Sequence, residues 1–194
     1  MTATTEPVHD DDLARWDADC GTQADDHAST IAPVPAAQRG PDRRPTTIRV
    51  ATLDDVDTIV AMGLRFQATT SYAAHLHATA ETLRTLAIGI IENVDGAVLF
   101  LLVSADGATV GMLAATLYTQ IMSGEIIGTE LCWWVDPEAR GGRGALRLLR
   151  TAERWAADRG AVVMQMMAPP GSDIGRFYEA LHYAPIEMHY QRRL

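Results

Sequence analysis

Arg140-Gly141-Gly142-Arg143-Gly144-Ala145 is the stretch whose residue types could most directly do chemistry. It follows an apolar strand end, Trp133-Trp134-Val135, and precedes a helical pattern that carries Leu146, Leu149, Ala152 and Trp155-Ala156 on one face. A strand, a glycine- and arginine-rich loop and a helix start, in that order, make a site for phosphate. Free backbone N–H groups point out of the helix start, and its dipole favours negative charge there. The loop backbone can approach a phosphate closely only where side chains are small. Gly160 is the expected helix stop. A second constellation, His75-x-His77 with Tyr72 in the polar segment 67–79, suits a loop lining a substrate cleft. As a metal site it lacks a third ligand nearby, and none is expected.

The elements that must position these residues follow from periodicity. Thr47–Ala51 alternates as a strand, and Thr52 or Asp54 can cap the helix that carries Val56, Ile59 and Val60. Glu81–Ile91 is a second helix. Ala97–Ser104 is apolar on both faces and belongs inside a sheet. Asp106-Gly107 signals a hairpin into a long strand, Thr109–Ile121, whose Thr116, Tyr118 and Gln120 share a face that meets water or ligand. Ile126–Val135 is a strand broken at Gly128. After the loop and its helix come a buried strand, Ala161–Met167, a helix over 172–181 and a last strand, Tyr183–Arg192. The order β-α-α-β-β-β-α-β-α-β predicts an α/β (α+β) fold with a mixed sheet and helices on both faces.

Composition bounds the rest. The 194 residues carry 47% hydrophobic and 21% charged side chains, as ordinary globular chains do. Residues 1–45 hold nine acids against four arginines, a net of −5, with prolines at 33, 35, 41 and 45. They read as an acidic tail, disordered or loosely docked, with a short helix possible where Leu13 and Trp16 lie three apart. Residues 46–194 form one domain with a net of −4. This acidity argues against nucleic acid as a partner. Cys20 and Cys132 form no metal spacing, and no disulfide is expected. With no signal peptide and no apolar run long enough to span a bilayer, a cytoplasmic setting without membrane contact is expected.

From Glu130 to Leu194 the chain resembles the GNAT (Gcn5-related) N-acetyltransferase superfamily, and the element order extends the likeness to Thr46. The resemblance rests on the loop, which is similar to the family's Q/R-x-x-G-x-G/A pattern with Arg143 in place of the middle glycine. It rests also on Arg176-Phe177-Tyr178-Glu179-Ala180-Leu181-His182-Tyr183, which is similar to the family's FYxxLGF/Y ending with His182 in place of glycine. It implies a mostly antiparallel central sheet of six to seven strands flanked by helices. Acetyl-coenzyme A is implied as acetyl donor, held by Trp133, Trp134, Val135, Arg140, Gly141, Gly142, Arg143, Gly144 and Ala145. Gly171 stands where an amide side chain is usual, so that contact is absent or made by Ser172.

Tyr178 is implied as general acid toward the leaving thiolate. A phenol near pKa 10 and a thiol near 8.5 differ by roughly 2 kcal/mol, which helix termini and a desolvated site could offset. Glu130 is the expected base, one residue out of the family's register, with Glu125, His75 and His77 as rivals. Tyr72, His75 and Tyr118 are expected to line the acceptor site. The expected acceptor is a primary amine on a small molecule, then a protein N-terminus or lysine, then an aminated DNA base. A homodimer is possible, and a GNAT-like module without catalysis is the alternative.

Overall fold

The computed structural model describes residues 45–190 except 71, 72, 74, 75, 141 and 170. Strand β1 (Thr46–Val50) leads through a 3-10 turn, Leu53–Asp55, into α1 (Val56–Ala68), and α2 spans Ala80–Glu92. Strands β2 (Ala97–Ser104), β3 (Thr109–Thr119) and β4 (Ile126–Val135) follow. Then come α3 (Gly144–Ala157), β5 (Ala161–Gln165) and α4 (Asp173–Ala180). The sheet order is β1-β2-β3-β4-β5, antiparallel throughout except for the parallel β4–β5 pair.

Local chemistry explains the boundaries. Arg49 pairs with both oxygens of Asp55 at 2.7 Å, and Thr52 N–H donates to the same carboxylate. The Arg49 guanidinium therefore holds the Asp55 carboxyl well below the usual range. The turn into α1 thus rests on Asp55, not on Asp54. Thr79 caps α2 by accepting from Thr82 N–H, and Gly107, at φ +87°, makes the β2–β3 hairpin turn.

Alternation along β2 feeds two cores, as its doubly apolar pattern predicts. Ala97, Leu99 and Leu101 pack with Ile59 and Met62 of α1, Ala87 and Ile90 of α2, and Trp134. Val98, Phe100 and Leu102 pack with Leu148, Ala152 and Trp155 of α3. A third cluster joins α3 to α4 through Leu149, Phe177, Tyr178 and Leu181.

Three expectations change. Among the described residues the sheet has five strands, not six or seven, because 183–190 is not a strand. Pro185 removes a ladder donor there, and Ile186, Met188 and Tyr190 are exposed. Strand β5 is not buried: Val162 and Val163 are 56% and 50% exposed, since β5 is the sheet's edge. Strand β4 also runs unbroken through Gly128, whose missing side chain makes room for α3. A Cβ there would lie 2.9 Å from both Ala156 Cβ and Met164 Sδ. Gly128→Ala is accordingly expected to cost about 1–3 kcal/mol of stability, read by urea denaturation.

Candidate active site

One extra residue in β4 decides where Glu130 points. Ala114 pairs with Cys132 but Ala115 pairs with Glu130, so Leu131 has no partner of its own on β3. Cys132 and Trp134 face α1 and α2. Simple alternation would put Glu130 beside them. The bulge turns it to the α3 side instead, directly opposite Ala115.

There it meets a fork. β4 and β5 pair from Ile126↔Ala161 to Thr129↔Gln165 and no further, while β4 continues to Val135. At the fork the Glu130 side chain replaces the ladder: its Oε2 accepts from Met167 N–H at 3.2 Å. The same oxygen accepts from the Tyr178 hydroxyl at 3.5 Å. Glu130 is 5% exposed, and burial pushes its carboxyl up to about 7, although the Met167 and Tyr178 hydrogen bonds oppose the shift. A carboxyl poised there can take a proton at neutral pH.

Tyr178 stands on α4, stacked on Trp133 with ring centroids 6.1 Å apart and planes at 21°. Burial, then the Glu130 carboxylate, raises its phenol well above the ordinary tyrosine range. The gap to a thiol is thus wider in this state than the free amino acids suggest. The turn after α4 keeps its shape despite His182, which adopts φ +66°, while Tyr183 N–H returns to Tyr178 C=O at 2.9 Å.

The loop before α3 is held from both sides. Arg140 Nε donates to Val135 C=O at 2.9 Å, and its guanidinium lies 5.0 Å from the Trp134 ring centre. Arg140 therefore ties the loop to the strand end. Gly141 lies outside the described residues, and Gly142 and Arg143 lead directly into the helix. Gly144 is small for a packing reason: a Cβ would stand 2.7 Å from Leu102 Cδ2. Ala145 packs against the α3-side core.

Two features fit an anionic, amide-bearing ligand such as a coenzyme A ester. Among the described residues α3 starts with no side-chain cap hydrogen bond and no acid in its first turn, whereas α2 and α4 are capped by Thr79 and Ser172. The Trp133 indole Nε1, at the fork, is buried with no hydrogen-bond partner among the described residues, an arrangement that costs about 1–3 kcal/mol unless something accepts from it. Sequence reasoning named Trp133 for its backbone and missed this donor and the Met167 N–H. Neither has a signature in residue type.

Other expected site residues fall elsewhere. Ser172 Oγ accepts from Gly175 N–H and donates to Pro169 C=O, so it caps α4. Tyr118 donates to Gln165 at 2.9 Å and sits on the sheet face opposite Glu130. The hydroxyl of Thr116 donates to Gly96 C=O and Gln120 accepts from the β3–β4 turn, so that face is partly structural. Glu125 lies in that turn, at the far end of β4 from the fork. His77 is exposed, and Tyr72 and His75 lie outside the described residues. No group of three metal-ligating side chains occurs among the described residues, nor any helix long and apolar enough to cross a membrane.

Known structures share this architecture. An acetyltransferase from Trypanosoma brucei aligns over 77% of this chain and 100% of its own, with TM-score 0.60 and 17% identity. Glucosamine-6-phosphate N-acetyltransferase from Arabidopsis thaliana aligns over 77% and 98%, with TM-score 0.61 and 14% identity. An aminoglycoside acetyltransferase from an uncultured soil metagenomic sample, solved with sisomicin, aligns over 77% and 96%, with TM-score 0.60 and 14% identity. No curated protein sequence matches. At such identities the structures speak for the fold. The family model described as Acetyltransferase (GNAT) family matches residues 50–183, which contain the bulged β4, the fork, the loop and Tyr178. With that match over more than half of its length, the chain belongs to the GNAT acetyltransferase family.

Proposed function

We propose that this protein is an acetyl-coenzyme A-dependent N-acetyltransferase acting on a primary amine, most simply one on a small molecule. The observation that carries the reading is the convergence at the fork of a buried carboxyl poised near neutral pH, a protonated phenol and an unpartnered indole N–H. Acetyl-coenzyme A supplies an acyl thioester that a neutral amine attacks directly, with a thiolate as leaving group.

The chain's own residues do the rest. The N–H groups at the start of α3 and the loop from Arg140 to Ala145 hold the anionic end of the donor. The free β4 edge, Trp133 to Val135, offers backbone groups to its amides, with a strand N–H near Val135 as oxyanion donor. Glu130 accepts the ammonium proton, directly or through water. That event also removes the charge that holds Tyr178's proton in place, so a proton gained at Glu130 makes Tyr178 a better acid. Amines would reach the fork from the α1/α2 side, where Tyr118 lies.

A second reading, a binding or structural module without turnover, draws on two observations. Gly144 is explained by Leu102 and Arg140 by Val135 without any ligand. The experiment is calorimetry with acetyl-coenzyme A and coenzyme A, then thiol release over polyamines, aminoglycosides, amino acids and peptides. Binding with release supports the enzyme; binding without release supports the module; no binding overturns both cofactor readings. Trp133→Phe keeps the ring stack but deletes the orphan donor. The free protein should be unchanged or more stable by about 1 kcal/mol, and acetyl-coenzyme A affinity should fall about tenfold.

A further inference from the structure

On the flank of α3 away from α4 lies a groove of about 530 Å³ that none of the fork chemistry uses. Its rim carries Arg49, Arg147, Arg150 and Arg154, and its floor is Ile48, Val50 and Phe100. Val50 is 57% exposed. Arg49 and Arg150 are paired, with Asp55 and Glu153. Among the described residues, Arg147 and Arg154 bond only uncharged oxygens, the Thr46 carbonyl at 2.7 Å and the Thr151 hydroxyl at 3.3 Å. The first turn of α3 holds no acid to neutralise them. This basic, partly apolar groove is an exception on a domain whose net charge is −4.

The chain contains a segment of complementary pattern. Asp10-Asp11-Asp12-Leu13-Ala14-Arg15-Trp16-Asp17-Ala18-Asp19 sets five acids around two large apolar residues three apart. In helical form Leu13 and Trp16 share a face, flanked by carboxylates. Placement favours this occupant over a diffusing one. Strand β1 begins at Thr46, whose carbonyl Arg147 holds, so the point at which the N-terminal segment is tethered lies beside the groove. The 27 residues from Asp19 to Thr46 reach about 30 Å on average if flexible. Tethering of that length gives a millimolar effective concentration, enough for a weak electrostatic contact.

We infer that the arginine groove between β1 and α3 is the docking site for residues 10–19 of the same chain, with Asp10–Asp12, Asp17 and Asp19 on the arginines and Leu13 and Trp16 on Ile48 and Val50. The contact is intramolecular and independent of the acetyl-transfer reading.

Cys20, one residue beyond the segment, reports on it directly. The other cysteine, Cys132, packs half-buried against the α1/α2-side core, and burial and then the Glu130 carboxylate raise its thiol, so a maleimide at neutral pH is expected to take Cys20 first, with Cys132→Ala as the labelling control. A fluorophore on Cys20 of the full chain should tumble with the domain at low salt. It should be released as salt rises from about 0.01 M to 1 M, over which the screening length falls from about 30 Å to 3 Å. Arg154→Glu, and separately the triple change Asp10→Asn, Asp11→Asn, Asp12→Asn, should each lower the docked-to-free ratio roughly tenfold, as loss of two or three ion pairs does. The tail variant cannot unfold the domain, so a failed Arg154→Glu protein leaves the test intact. Anisotropy indifferent to salt and to the tail variant overturns the proposal. So does anisotropy that rises with protein concentration, because the segment would then dock on a second copy.

Discussion

Glu130→Gln makes this protein more stable above pH 8, by about 3 kcal/mol, while lowering acetyl transfer about 100-fold or more. Burial raises the Glu130 carboxyl from 4.5 to about 7. Between those values the folded chain keeps a proton that the unfolded chain has released. Stability from this group is therefore fully present below pH 4.5 and is lost as pH rises through 7. The free-energy difference is about 3 kcal/mol, at roughly 1.4 kcal/mol per tenfold change in proton affinity. Gln stays neutral at every pH and can still accept from Met167 N–H through its amide oxygen. Its unfolding free energy should match that of the parent near pH 4, exceed it increasingly between pH 4.5 and about 7, and stay above it by a constant amount from pH 8 to pH 9. Urea denaturation across that range measures this. A parent curve without such a decline would show that Glu130 is not held neutral. The paired loss of thiol release separates a proton-handling carboxyl from a structural one, since a merely structural residue would lose stability along with activity.

Tyr178→Phe carries the second large effect. The variant keeps the ring on Trp133 and Leu149's cluster, so the fold should change little. It removes the O–H that, among the described residues, reaches Glu130. If Tyr178 protonates the leaving thiolate, kcat falls about 100-fold while the KM for acetyl-coenzyme A moves less than about threefold. If Glu130 is the base, parent kcat should rise with pH through its titration near 7, because only the ionised carboxylate can take a proton. In Tyr178→Phe that rise should persist at a lower plateau, since deleting the hydroxyl removes a hydrogen bond that favours the carboxylate and shifts the midpoint slightly upward. Unchanged turnover at every pH would remove Tyr178 from the chemistry and leave it as a packing residue between α3 and α4.

Much of the scaffold was legible because it is written in local chemistry. The doubly apolar Ala97–Ser104 had to lie inside a sheet, and its two faces do fill two cores. Asp106-Gly107 had to turn, and the FY-containing ending placed Tyr178 on a helix against the core. The last strand was misread because alternation over 183–190 satisfies a pattern without a neighbouring strand to pair with. Likewise Val162 and Val163 read as buried from their type, yet nothing among the described residues covers the β5 edge.

By itself, then, the sequence determined the element order, the loop-and-helix that suits an anion, and the family, because periodicity, turn chemistry and short motifs act within a few residues of each other. Only the tertiary structure decided where the Glu130 side chain lies. A single unpaired residue, Leu131, reverses the side on which it lies, and pairing register depends on the partner strand and is invisible in alternation. The fold alone also brought Met167 N–H, the Tyr178 hydroxyl and the orphaned Trp133 indole to one fork, from segments up to 48 residues apart. Burial there, a property of the assembled core, is what moves the Glu130 carboxyl to about 7.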